Sequence, residues 1–298
     1  MRWSAPTLRM QRRRTPVRVD ELKQVDTVHA HSGGPTNSNA GNLNNAGQIQ
    51  PQSNQIQPQT TSNIVVPSNL TGLGPTEFKR LSDVVTAKGL KLSSIKALYD
   101  DLGLKNVQEI VKQTDDEIAA AIRAIEIERI DGGHSIARHG PQIKDNVLED
   151  RVTTGIAADG VFSPTQASTR FLNYETWEKT RGLALKEIEK FHSIDLSKPP
   201  SSNADFRQEI IVEFDKAIDD GFVGDIATKR KIPNPANPKR KGKVYSSTNS
   251  IQGVTRTKTV VAWDGTSWKV KQHIPWATDW NDATKTYSSS AQSLVKLP

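Results

Sequence analysis

Between Thr27 and Thr76 the chain contains no Lys, Arg, Asp or Glu, and Asn, Gln, Ser, Thr, Gly and Pro dominate. So polar a stretch cannot bury enough apolar surface to offset the entropy of ordering it, which confines any folded core to the residues beyond it. Within it the unit Gln-Ile-Gln-Pro-Gln occurs at 48–52 and again at 55–59, a repeat too short to stack into a solenoid. Before it, residues 1–19 carry Arg2, Arg9, Arg12, Arg13, Arg14 and Arg18 with no acidic residue. The expected organisation therefore begins with a cationic leader (1–28) and a disordered polar linker (29–76) that acts as a spacer.

From Glu77 the pattern changes to helical spacing. Phe78, Leu81, Val84 and Val85 recur on one face, then Ile95, Leu98 and Tyr99, then Ile118, Ile122, Ile125 and Ile127. Gly89 and Gly103 are expected breaks, and Thr114 with Glu117 has the spacing of a capping box. Residues 77–130 thus read as a helical adaptor, with the isoleucine stripe as its core.

Residues 131–298 mix both periods. Gly140-Pro141 should end a short helix, a second should start near Asp145, and Trp177, Ala184, Ile188 and Phe191 mark a longer one over 173–191. Phe206, Gln208, Ile210, Val212 and Phe214 alternate with Arg207, Glu209, Ile211, Glu213 and Asp215, the period of a half-buried strand. Asp264-Gly265 supplies a turn for a hairpin over 258–275, placing Lys269, Lys271 and His273 on one cationic face. The fold class is α+β with antiparallel sheet.

Composition excludes several chemistries. With Cys 0 there is no disulfide, no thiolate nucleophile and no cysteine-ligated zinc. No apolar run has the length of a membrane span, and no signal-peptide core follows the arginines, so synthesis in the cytoplasm is expected. The net charge of +7 favours a polyanion, an anionic membrane surface or an acidic protein partner.

The chemistry-bearing stretch is Gly132-Gly133-His134-Ser135-Ile136-Ala137-Arg138-His139-Gly140, followed twelve residues after His139 by Arg151. Histidine titrates near neutrality and arginine stabilises anions without titrating, a combination suited to acid and base work on a phosphate. His134 and His139 are five apart, about 140° around a helix, so they cannot share a metal as an i, i+4 pair would. No metal ligand set and no cofactor are expected.

That motif, the helix ending in Arg151 and the segment Ala167-Ser168-Thr169-Arg170-Phe171 together resemble the bacterial RNase A-like toxin family. Its domains form the carboxyl ends of contact-dependent inhibition and other polymorphic toxins. The resemblance spans residues 132–275. It implies an RNase A-like domain over 131–298, with N-terminal helices and a curved antiparallel sheet, and a metal-independent endoribonuclease delivered into target cells. His134 and His139 match the family's two motif histidines, Arg151 matches its arginine with one extra residue of spacing, and Val270 to Pro275 matches its closing strand. Where the family has valine and lysine after the second histidine this chain has Pro141 and Gln142, and the closing strand carries Gln272 and Ile274 in place of threonine and tyrosine. His273 lies between those two and is the expected substitute as general acid. His139 is then the base, oriented by His134, and Arg151 steadies the phosphoryl charge.

RNA, with tRNA as one candidate, would be held by Lys229, Arg230, Lys231, Lys239, Arg240 and Lys241 in a proline-rich loop that also carries Lys243, and by Thr169 and Lys271. The family and charge complementarity imply an acidic immunity protein, and the cationic leader and polar linker, with no signal peptide, suggest a secretion or injection apparatus that takes up the leader. Two other readings stay open. Ser168-Thr169 with Glu187-Ile188-Glu189 suggests an ADP-ribosyltransferase toxin, and charge with linker alone suggests a non-catalytic nucleic-acid-binding protein.

Overall fold

The computed structural model describes residues 65–298 apart from 203, 204 and 282. The expected leader and most of the linker, 1–64, lie outside the described residues. The chain is α+β, with six helices and four small sheets among the described residues. The helices are α1 (Pro75–Ala87), α2 (Ser93–Ile110), α3 (Asp115–Asp131), α4 (Ser135–His139), α5 (Asp145–Thr154) and α6 (Tyr174–His192). The expected linker boundary moves: Leu70 and Leu73 are buried in the core, so order begins before Thr76.

The helical segment is not a separate adaptor. One hydrophobic core runs from α1 and α2 through α3 into α6 and the main sheet. The isoleucine stripe of α3 is buried as expected, but so are Ala119, Ala120, Ala121 and Ala124 on its other sides. Alanine lets a neighbouring backbone approach closely, so α3 is packed on several faces and joins the two halves. Thr114 does cap α3, accepting from Glu117 N at 3.3 Å. The Glu117 side chain instead accepts from Tyr174 N (2.6 Å) and Glu175 N (3.1 Å), capping the start of α6. Arg123 and Glu178 pair through two bonds of 2.6 and 2.7 Å across the same seam.

The main sheet has the order β11-β2-β7-β8, from β2 (Arg207–Phe214), β7 (Arg256–Trp263), β8 (Trp268–Pro275) and the short β11 (Ser293–Val295), which joins β2 in parallel. Ile210, Val212 and Phe214 point inward as the alternation requires. The β7–β8 hairpin turns at Asp264-Gly265, with Gly265 at φ +102. Trp263 and Trp268 pack edge to face on each other across it, 5.9 Å between centroids. A second sheet, β1-β3-β6, is built from β1 (Ala167–Phe171), β3 (Asp219–Gly224) and β6 (Thr248–Val254). A two-stranded ribbon, β4 (Lys229–Asn234) and β5 (Asn237–Tyr245), stands where a proline-rich loop was expected. The short β9 (Trp280–Asn281) and β10 (Thr286–Tyr287) pair near the carboxyl end. On α6, Trp177, Ala184 and Ile188 are buried, whereas Phe191 is 52% exposed and outside the core expected for it.

Candidate functional site

The Gly-Gly pair that opens the motif is a joint. Gly132 takes φ +65 at the end of α3, a left-handed cap that lets the chain reverse into α4. A Cβ on Gly133 would lie 3.3 Å from both Glu128 Oε1 and Val270 O, so the backbone passes where a side chain would crowd helix and sheet. The Glu128 carboxylate accepts from Ile136 N at 2.9 and 3.1 Å and thus holds the amino end of α4. Burial pushes its pKa up to about 7, partly offset by bonds from Ile136, Ser135 and Ala137 N–H. Gln142 Nε2 donates to Ile136 O at 2.6 Å, and Ser135 Oγ accepts from His273 N at 2.9 Å. A five-residue helix too short to hold itself is thereby fixed from three sides.

At its end His139 is buried, 5% exposed. Its Nδ1–H donates to Thr169 O at 2.7 Å, and its Nε2 accepts from Arg151 Nη1 at 3.1 Å. A carbonyl can only accept and a guanidinium can only donate, so the ring is neutral with its lone pair on Nε2. Burial, then the charge of Arg151, hold its pKa down to about 3. Arg151 is 8% exposed. It also donates through Nε to Ser163 O at 3.2 Å and through Nη2 to Ser163 Oγ at 3.4 Å, and burial lowers its pKa to about 10.

His134 stands at the position before the first residue of α4, makes no side-chain cap bond there and is half-buried. Burial lowers its pKa, followed by the charge of Arg138; Asp159 opposes this and Arg151 adds to it. No bond joins it to His139, so orientation of His139 comes from Thr169 O and Arg151, not from His134 as expected. Arg138 pairs with Asp159 at 2.7 Å, closing the turn after α5 over α4.

Three expected site residues do not take the roles expected of them. His273 has no exposed surface. Val260 pairs with Gln272 but Val261 with Val270, so Lys271 is an extra residue in β8. That bulge inverts the alternation and turns His273 inward onto the side of Val270. Thr180 Oγ1 donates to Thr176 O and accepts from His273 Nε2 at 3.0 Å, which leaves Nδ1 to accept from Thr259 Oγ1 at 2.8 Å. With its ring stacked 5.3 Å from Phe171, His273 is a core histidine and not the exposed acid on a cationic face. Lys271 donates to Asp131 O at 3.1 Å and caps α3. Thr169 is 2% exposed and serves through its carbonyl, not by a side chain open to substrate.

The ribbon is brought to the site. Arg230 Nη2 donates to Thr153 O on α5 at 3.3 Å, and Gly242 packs on Phe162 and Pro164, on either side of the Ser163 that holds Arg151. Lys229, Arg230, Lys231, Lys239, Arg240, Lys241 and Lys243 are all exposed, and none forms an ion pair with a described residue. Glu187 accepts from Ser293 Oγ (2.5 Å) and Glu189 from Leu196 N (2.9 Å), so both tie the end of α6 to its surroundings.

Sequence reasoning missed Glu128 and Ser163. Glu128 sits five residues before Gly133 with nothing local to mark it, and Ser163 contributes mostly a backbone carbonyl. Comparison with protein-family models, with curated proteins and with solved structures finds no match. Among the described residues no helix is long and apolar enough to cross a membrane.

Proposed function

We propose that the chain is an RNase A-like endoribonuclease that cuts RNA through the 2′-hydroxyl without a metal. The observation that carries the reading is the buried His139–Arg151 bond, 3.1 Å long, set at the foot of a cationic ribbon. At rest Arg151 occupies the lone pair of Nε2, and His139 is a poor base. An incoming phosphodiester competes for the guanidinium; as Arg151 turns to its oxygens, Nε2 is freed and the anion raises the pKa of the ring. His139 then takes the 2′-hydroxyl proton, O2′ bonds to phosphorus, and the P–O5′ bond breaks. O5′ takes its proton from His134, the motif histidine that stays open to solvent, in place of His273. Products are a 2′,3′-cyclic phosphate and a 5′-hydroxyl.

The test is cleavage of total RNA in EDTA by the wild type and by His139→Gln and Arg151→Gln, each checked for retained secondary structure. Each variant is expected to lose about 10²- to 10⁴-fold in rate; undiminished cleavage by His139→Gln would overturn the reading. The burial of His139 favours a second reading, in which the pair is structural and the ribbon binds RNA without cutting; wild-type binding with no cleavage would establish it. Delivery into a target cell and neutralisation by an acidic immunity protein belong to the same proposal, tested by whether the protein encoded beside it blocks cleavage.

A further inference from the structure

Cross-strand partners of an antiparallel ribbon share a face. Lys231 stands opposite Lys243 and Pro233 opposite Lys241, whereas Ile232 stands opposite Gly242 and Arg230 opposite Val244. The second face is docked: Val244 is buried, and a Cβ on Gly242 would lie 2.3 Å from Pro164 and 2.8 Å from Phe162. From the Lys231–Lys243 rung to the Pro233–Lys241 rung the first face is exposed and carries Lys231, Lys241 and Lys243 together, while at its foot Tyr245, opposite Lys229, is buried.

Like charges placed directly opposite on a ribbon destabilise it, and here no carboxylate among the described residues pairs with them. Such a cluster persists where an anion supplies the missing charge. The segment 229–243 contains no Phe, Tyr or Trp, so the face cannot stack unpaired bases. Tyr245, opposite Lys229 on that face, is buried, so Pro233 is its one exposed apolar side chain, which leaves nothing to insert into a membrane or to form the dry centre of a protein interface. What remains is a phosphate backbone whose bases are already stacked on one another.

We propose that the outward face of β4–β5 docks on the backbone of base-paired RNA, through Lys231, Lys241 and Lys243. This rests on the ribonuclease reading for the choice of RNA, and it makes the substrate a structured RNA, cut next to a stem held by the ribbon. The strands rise about 3.3 Å per residue, so Lys241 and Lys243 reach phosphates about two residues' rise apart. Specificity for sequence is not expected from such contacts, because backbone phosphates carry none directly.

The experiment measures binding of the full chain to a short 2′-O-methyl RNA duplex, which lacks the nucleophile and cannot be cut, to one of its strands unpaired, and to anionic phosphatidylserine vesicles. Wild type is compared with Lys231→Gln/Lys241→Gln/Lys243→Gln across a salt series. The wild type should prefer the duplex, and the triple variant should lower the duplex salt slope by about 3, one per contact, and weaken binding by about tenfold or more. Melting temperature should hold or rise, since repulsion is removed. An unchanged duplex slope, equal losses on duplex and single strand, or a loss seen only on anionic vesicles would overturn the proposal. Lysine-dependent duplex binding by a chain that cuts no RNA would leave this inference standing and the ribonuclease reading refuted.

Discussion

His139 illustrates how one bond sets a residue's chemistry. Its pKa of about 3 comes first from burial and then from Arg151, so Arg151→Gln should raise it while leaving it below the ordinary 6.5. An NMR titration of the ring checks this, and an unmoved pKa would mean that the two groups are not coupled. The pH dependence of stability combines opposed signs. His139 and His273, both held below 6.5, contribute stability above that value that is lost as pH falls. Glu128, raised from 4.5 to about 7, contributes fully below 4.5 and loses that contribution as pH rises through about 7. Glu128→Gln keeps an acceptor for Ile136 N but removes the charge, so denaturation curves should show its stability rising relative to wild type between pH 4.5 and about 7. Parallel curves would contradict it. Glu128→Ala strips the cap and should cost about 1–3 kcal/mol by the same measurement.

At the level of elements, sequence signals that were local and backbone-encoded proved legible. Gly140 ends α4, α6 starts beside Asn173 as expected, and Asp264-Gly265 turns the hairpin. What sequence could not show was the bulge at Lys271, because one extra residue leaves no mark in composition yet inverts every side chain beyond it. The β4–β5 ribbon was hidden by Pro233, Pro235 and Pro238, which normally argue against a strand. A two-stranded ribbon has free edges where the missing N–H costs nothing, and Pro235 sits in its turn. The structural role of His273 gives a sharp expectation: His273→Ala removes the acceptor of the Thr259 hydroxyl and the donor to Thr180 Oγ1 and opens a void beside Phe171. It should cost about 3 kcal/mol in chemical denaturation. A stable His273→Ala protein that has lost activity would return the acid role to this residue.

On the scale of the whole molecule, an α+β class was readable from the two periodicities, but the continuity of the core across residue 131 was not. Helical spacing marks one buried stripe on α3, while the alanines that bury its other sides carry no periodic signal. α3 supplies Glu117 to α6, Arg123 to Glu178 and Glu128 to α4, so the histidine motif is positioned from the segment read as an adaptor. A chain starting at Asp131 should therefore fail to unfold cooperatively, as read by calorimetry; a sharp transition would show that 131–298 is an independent domain after all.

The most direct test of the central claim is identification of the new ends on a defined structured RNA after incubation with the protein in EDTA. The His139–Arg151 mechanism predicts 2′,3′-cyclic phosphate and 5′-hydroxyl ends, and no cut where the 2′-hydroxyl is methylated. Ends bearing a 5′-phosphate, cleavage at a methylated position, or RNA left intact would contradict it.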